Sequence, residues 1–357
     1  MALEIFVPNT GQGDCTFITF PNGKNMLVDI NRTDVDVDII EFLRKKIPKK
    51  KHEDIDKTCR RLNCFVNTHP HEDHLKGVGD LDTDEFYIDQ IWESGHRLYV
   101  PADQKDKYKH YYDFLALVNK LKKRNAVTKL RAGRAPKTYI GSTAVYVFAP
   151  SSYIVDSKSR EEIHNQCAVL RIEYTGNSIL LTGDSYRDSW ENRIVPQYSD
   201  DKVENGKRLE NLLKSTVLHA AHHGSKYFFV KPNDDNDKYK RAMDKITPSF
   251  TVISVGKGNK HGHPHQIAMN IYREKTKYGR VWTTKDDKSM YFAFKNDGKV
   301  EYKKGLDYDD LTSIKHEAES LEGTISKTAT TLSFGIRKDI EMELPNRPPK
   351  AKREGYR

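Results

Sequence analysis

The stretch Thr68-His69-Pro70-His71-Glu72-Asp73-His74-Leu75-Lys76-Gly77 sets three imidazoles and an aspartate within six positions, straight after a run with strand character, Arg61 to Asn67. Alternate residues of an extended segment share a face. His69 and His71 therefore aim the same way, while Asp73 and His74 follow as the chain turns toward a helix. One pair can hold one ion and the other pair a second. Imidazole mixed with carboxylate suits zinc, manganese or iron better than magnesium or calcium, which prefer shells of oxygen alone. A polar loop with solvated histidines would not need this spacing, so the stretch reads as a metal site.

A dinuclear site needs further ligands, and they are sought where strands end. His164 stands just before a strand in Glu162-Ile163-His164-Asn165-Gln166-Cys167, and Asp184 closes Leu180-Leu181-Thr182-Gly183-Asp184. His222-His223-Gly224-Ser225 follows Val217-Leu218-His219-Ala220-Ala221. A carboxylate at a strand end beside glycine can bridge two cations, one on each oxygen, and that role falls to Asp184. Singly, a Gly-Asp turn or a His-His-Gly loop is ordinary. The reading rests on their joint order.

The elements that must position these groups are legible in outline. Strands are expected at 3–7, 15–20 and 25–30, the last ending on Asp29, with a hairpin turn at Gly11-Gln12-Gly13-Asp14. A helix over 35–46 precedes Lys49-Lys50-Lys51, taken as a solvated loop. The chain returns to the sheet over 86–98, and 101–134 is taken as an inserted helical excursion carrying ten Lys/Arg against three Asp/Glu. There Tyr108, Tyr111 and Tyr112 interleave with the basic residues, as suits contact with nucleic acid. The same stretch also makes an amphipathic helix with Phe114, Leu115, Leu117, Val118 and Leu121 inward. Further strands are expected at 145–148, 168–174, 178–182, 216–220, 250–255, 280–284 and 289–295, with helices at 186–194, 238–245 and 266–276. Residues 1–303 thus form one α/β domain. The remainder, 304–357, supplies a helix with Leu311, Ile314, Ala318 and Leu321 on one face, able to dock on the domain or a second subunit, and a mobile basic tail from Leu344.

The chain has 357 residues, with 60 Lys+Arg against 51 Asp+Glu, formal charge +9, which favours polyanionic partners without excluding ordinary solubility charge. Cysteines 15, 59, 64 and 167 form no CxxC pair, so neither a disulfide framework nor a cysteine zinc knuckle is indicated. With no signal-like N-terminus and no apolar run of about 18 residues, the expectation is a soluble, cytoplasmic protein that neither enters nor crosses a membrane.

Taken together, the pattern HxHxDH, a His, a strand-end Asp and a final His resembles the metallo-β-lactamase fold superfamily. More narrowly it resembles the soluble hydrolase domain of the ComEC competence proteins. That likeness stands on Asn9-Thr10-Gly11-Gln12-Gly13-Asp14, the LLTGD ending at Asp184, His222-His223-Gly224-Ser225, and Ser254-Val255-Gly256-Lys257 leading to Gly262-His263-Pro264-His265. It covers roughly residues 3 to 297. The resemblance implies a four-layer αββα sandwich and two divalent metal ions, zinc or manganese. By position, His69, His71 and His164 would hold one ion, Asp73, His74 and His223 the other, with Asp184 shared. His222 in place of His223 remains open as the last ligand, and His164 departs from the asparagine common in that branch.

The implied chemistry is hydrolysis by a hydroxide shared between two cations. Asp73 would orient it, and His263, with His222 or Lys257, would protonate the departing oxygen, unless His263 merely caps its turn. Nucleic acid is the expected substrate, making the protein a nuclease on DNA or RNA. The alternatives are a phosphodiesterase or esterase for a small substrate, of the phosphorylcholine-esterase kind, and a metal-stabilised binding protein without catalysis.

Overall fold

The structure is a computed structural model that describes residues 1–151 and 160–316. Its strands in the first half are β1 (Ala2–Val7), β2 (Thr16–Thr19), β3 (Asn25–Val28), β4 (Lys49–His52), β5 (Lys57–Asn67), β6 (Phe86–Glu93) and β7 (Val127–Lys129). Then follow β8 (Thr138–Ile140), β9 (Thr143–Ala149), β10 (Val169–Tyr174) and β11 (Asn177–Leu181). A small hairpin, β12 (Val203–Glu204) with β13 (Lys207–Arg208), precedes β14 (Val217–His219), β15 (Phe250–Ile253), β16 (Val281–Thr283), β17 (Ser289–Lys295) and β18 (Val300–Leu306).

These strands make two large sheets. The first runs β18-β17-β1-β2-β3-β5-β6-β7, with β4 pairing β5, and the second runs β16-β15-β14-β11-β10-β9-β8. In each sheet one part is antiparallel and the other parallel: β3, β5, β6 and β7 run together in the first, and β11, β14, β15 and β16 in the second. Side-chain alternation explains how β1, apolar but for Glu4, is buried on both faces. Leu3, Ile5 and Val7 join the core between the sheets, with Ile172, Leu181 and Phe292. Ala2 and Phe6 turn outward and meet Phe42 and Leu43 of the helix Ile39–Lys46. On the far side, Leu180, Leu218 and Ile253 pack against Trp190, Met243 and Tyr272 of the other helical layer. The order is therefore helices, sheet, sheet, helices: the four-layer αββα sandwich expected.

Several local expectations need correction. Lys49-Lys50-Lys51 is not a loop but most of β4, held by backbone pairing to Thr58, Cys59 and Arg60 rather than by burial. The 101–134 stretch is not an excursion: its helix, Lys109–Lys122, leads into β7, which pairs parallel with β6 and extends the sheet. That helix buries Phe114, Leu117, Val118 and Leu121, as its amphipathic pattern predicts. The helix expected over 186–194 runs on through Tyr198, its Trp190–Ile194 turn wound more loosely. Past residue 303, β18 continues to Leu306, and the helix Tyr308–Ser313 seats Leu311 and Ile314 against the domain's own helical layer. Ala318, Leu321 and the tail from Leu344 lie outside the described residues. All four cysteines are free and buried. No described helix is long and apolar enough to cross a membrane.

Candidate metal centre

The histidine-rich loop leaves the end of β5, central in the first sheet, and is fixed by its neighbours' backbone. Asp14 N donates to Asp73 O (3.1 Å), Ile30 N to His74 O (3.2 Å) and Arg32 N to Lys76 O (2.7 Å). Asn67 Nδ2 donates to His69 O at 2.8 Å. Gly13 is required where the chain passes behind this loop, since a Cβ there would stand 2.6 Å from Asp73 O. Opposite, β11 delivers Asp184 through Gly183 at φ 48, where a Cβ would lie 2.5 Å from Cys167 Sγ. After β14 the chain takes two left-handed residues in succession, His222 (φ 48) and His223 (φ 52). Such backbone is uncommon outside glycine, with His among the residues that tolerate it.

Ligand atoms of His69, His71, His164 and Asp184 all lie within 4.8 Å of one another, as do those of Asp73, His74, Asp184 and His223. The seven residues singled out in the sequence thus converge in the two groups expected, with Asp184 common to both. In the first group His69 Nε2 is 2.9 Å from His71 Nδ1, which is 3.2 Å from His164 Nε2. His222 belongs to neither group, although it is as near Asp184 as His69 and His164 are. Its Nε2 is 3.4 Å from Asp184 Oδ2 and its ring stacks on Tyr186, with centroids 5.4 Å apart.

Proton positions follow from the partners. Asp29, at φ 56 just past β3, accepts from Thr68 N (2.8 Å), Thr68 Oγ1 (2.6 Å) and His74 Nδ1 (2.7 Å). That leaves the lone pair of His74 on Nε2, 3.1 Å from Asp184 Oδ1, with neither atom in a hydrogen bond. His223 Nδ1 donates to Ser254 O (2.9 Å), so its Nε2 lone pair faces Asp73 Oδ2 at 3.1 Å. In the neutral rings these lone pairs would face carboxylate lone pairs in a dry interior, an arrangement that repels unless a proton or a metal cation lies between them. The donor set therefore fits bound divalent metal.

The electrostatics agree. Burial pulls His74 and His223 down, yet Asp184 and Asp29 for the first, and Asp14 and Asp184 for the second, hold both well above the usual imidazole range. Burial raises Asp184, but His222, His74 and His223 outweigh it and keep the carboxylate well below its ordinary value. Burial likewise raises Asp73, and His223 and His74 outweigh it. The carboxylates of this interior demand positive charge. His69, buried among His74 and His71, is held well below the usual range and is a neutral donor.

His222 and His263 line a cavity of about 230 Å³ over the site, together with Tyr186, Tyr227, His261 and His265. Burial pushes His222 down to about 4, and burial with the crowding of His222 and His223 pushes His263 down to about 3. In the neutral form that burial favours, each can offer an N–H hydrogen bond to a substrate oxygen. Each keeps a buried Nδ1 without a hydrogen-bond partner among the described residues. Lys257 is exposed and does not line this cavity, so it is set aside.

Asp14 and Asp29 were visible as acids in GQGD and at the end of Met26-Leu27-Val28-Asp29, but their task of orienting His223 and His74 depends on three-dimensional proximity. Cys167, whose Sγ accepts from Asp184 N at 3.2 Å, gives no signal in the sequence.

A larger groove of about 660 Å³ adjoins the site, sharing Gln12, His71, Asp73 and His261 with the smaller cavity. Lys76, Lys107 and Lys260 line it beside Tyr99, Tyr108 and Tyr111. The start of the 101–134 stretch thus faces the site, while its helix faces the core. Of its three tyrosines, Tyr111 is buried and accepts from Leu98 N at 2.9 Å.

The αββα layering, with this ligand order gathered at the strand ends, defines the metallo-β-lactamase fold. Among curated proteins the chain is similar to ComE operon protein 3 of Bacillus subtilis (strain 168), a competence protein: 22% identical over 300 residues, covering 82% of this chain and 33% of the relative. The chain spans about a third of that protein's length. No family model matches. Solved structures of similar outline include the metallo-β-lactamase fold protein YhfI from Bacillus subtilis, with TM-score 0.44, 13% identity, 84% of this chain and 100% of that one covered. A diphosphatase from the PhnP family has TM-score 0.39 and 12% identity, covering 80% of this chain and 96% of its own. Zinc-bound PqqB from Methylobacterium extorquens has TM-score 0.39 and 9% identity, with 78% and 87% covered.

Proposed function

We propose that the protein is a dinuclear metal-dependent hydrolase of phosphodiesters, a nuclease acting on DNA or RNA. The observation that carries this reading is a groove walled by Lys76, Lys107 and Lys260 and by Tyr99 and Tyr108 that adjoins the two metal-compatible groups and shares His71 and Asp73 with them. Ammonium groups beside aromatic rings suit a phosphate backbone with bases to stack. His69, His71 and His164 would hold one ion and Asp73, His74 and His223 the other, with Asp184 between them. Zinc and manganese both suit this donor chemistry. When bound, the ions supply activated water and neutralise charge on the attacked phosphate.

The chain's own part is positioning. Asp29 fixes the tautomer of His74, and Asp14 with Ser254 that of His223. The neutral imidazoles of His222 and His263 give N–H hydrogen bonds to nonbridging or leaving oxygens, and the groove lysines hold the flanking phosphates. The work is to be cytoplasmic, with nucleic acid as the partner and any self-association resting on the C-terminal extension. Support for a small-substrate phosphodiesterase comes from the volume of the larger groove, which lies within the range of small-molecule pockets.

The test is hydrolysis of single-stranded DNA, duplex DNA, RNA and a chromogenic phosphodiester by protein loaded with Mn or Zn, across a salt series. A nuclease loses affinity steeply as salt rises. Turnover of the chromogenic diester alone, insensitive to salt, would replace the nuclease by the small-substrate enzyme. Metal uptake that stabilises the fold, with no turnover of any substrate, would leave a binding protein.

A further inference from the structure

Away from the metal centre, the open edges of the two sheets meet. β16 ends the second sheet and β18 the first, and Trp282 of one lies 5.6 Å from Tyr302 of the other, ring centre to ring centre. Tyr302 also packs on Phe250 at 4.8 Å. Arg280 is held over this surface by rings alone, 5.0 Å from Phe250, 5.2 Å from Tyr278 and 5.8 Å from Tyr302. Among the described residues its guanidinium has neither an ion pair nor a hydrogen bond. Lys304 stands 5.3 Å over Trp282, its charge shared with Asp287 at 2.6 Å.

Two features separate this patch from an ordinary surface. Tyr278 is 77% exposed, and its backbone is left-handed at φ 57, a conformation a bulky residue adopts only under constraint from its surroundings. Tyr302 is 44% exposed. A strained turn that presents an aromatic ring to water, beside a guanidinium with all its donors free, serves no interior purpose. The guanidinium fork matches a phosphate, and stacking on aromatic faces pre-orients it. The rings match unpaired bases, which every single strand carries and a duplex conceals. The patch is distinct from the metal centre: Phe250 opens β15, whereas Ser254, which contacts His219 and His223, lies past its end, about 13 Å farther along at about 3.3 Å per residue.

We propose that Tyr278, Arg280, Trp282 and Tyr302 form a second binding site for single-stranded nucleic acid, an exosite that holds a strand several nucleotides from the point of cleavage. The inference rests on the nucleic-acid reading of the protein, but its test needs no cleavage. A fluorescein-labelled oligothymidylate is titrated with the full chain in EDTA and followed by anisotropy. Arg280→Gln and Tyr278→Asn are compared with wild type. Asparagine tolerates the left-handed backbone, and an unchanged unfolding temperature certifies both variants. Each variant is expected to weaken binding at least about fivefold, the loss typical of a stacked base or a phosphate contact. Arg280→Gln should also flatten the salt dependence by roughly one phosphate's worth. Wild-type protein that binds no oligothymidylate, variants that bind as wild type does, or a duplex that competes equally with the single strand each overturns the exosite. Absence of cleavage alone, with binding lost in the variants, overturns only the nuclease.

Discussion

Asp29 touches no metal in the proposed assignment, yet it decides which nitrogen of His74 can bind one. Its Oδ2 lies 2.7 Å from His74 Nδ1, and the residue is 1% exposed, so no water can take over the bond. In Asp29→Asn the new amide keeps the shape and can still accept from Thr68 N through its oxygen. Its NH₂ then faces His74 Nδ1, which must become the acceptor, and the imidazole proton moves to Nε2. That proton occupies the position from which His74 would bind, opposite Asp184 Oδ1 at 3.1 Å. Loss of such an orienting partner typically weakens metal affinity about 10- to 100-fold, about 1.4 to 2.8 kcal/mol. Competition against a chelator of known affinity, with Mn and with Zn, measures it directly, and metal analysis of the purified variant should show the second site depleted first. A variant that retains both ions at wild-type affinity would refute the tautomer reasoning, and with it the claim that His74 binds through Nε2.

Three further outcomes follow from the geometry. Gly183→Ala sets a methyl 2.5 Å from Cys167 Sγ on a left-handed backbone, so thermal unfolding should register a loss of about 2 to 3 kcal/mol. Adding Cys167→Ala should restore part of it, and no restoration would mean that the clash lies elsewhere. Removing Lys76, Lys107 and Lys260 together should lower the slope of log affinity against log salt for single-stranded DNA by about 2, and an unaltered slope would remove the groove from the substrate path. Lys46, pushed down to about 8 from 10.5 by burial, which Glu4 only partly offsets, is the reverse of the usual lysine case. Between those values the unfolded chain holds the proton and the folded chain does not, so stability from this group rises with pH. Relative to Lys46→Met, wild type should gain about 1 kcal/mol across that window once solvent screening is allowed for, and urea unfolding at both ends would expose a flat or opposite trend.

Much of this molecule is written locally. The spacing of His69, His71, Asp73 and His74, and the strand-end positions of Asp184 and His223, are visible because a metal site constrains residue type and interval together. The layers are visible because strands buried on both faces are mostly apolar, as β1 is at every position but Glu4. What escaped depends on partners distant in the chain. β4 is three lysines and a histidine, and only pairing with β5 makes it a strand. β7 has three residues, too few to show alternation. His222 and His263 look like proton donors in sequence. Burial favours their neutral form because the fold crowds them with each other and with His223 away from water, and no spacing rule reveals that. Tyr278 and Arg280 carry no motif at all and gain meaning only where two sheet edges converge.

The segment after Lys303 has a practical bearing on how the protein can be cut. β18 covers the outer edge of β17 by antiparallel pairing, and the ammonium of Lys46 donates to the carbonyls of Thr312 and Ile314 while lying 4.5 Å from the Phe6 ring. Ending the chain at 303 would strip the last three residues of that cover, vacate the seat of Leu311 and leave a lysine stranded over an aromatic ring. The exposed strand edge would then invite self-association, whereas a stop beyond residue 316 keeps the cover, the seat and the lysine's partners in place.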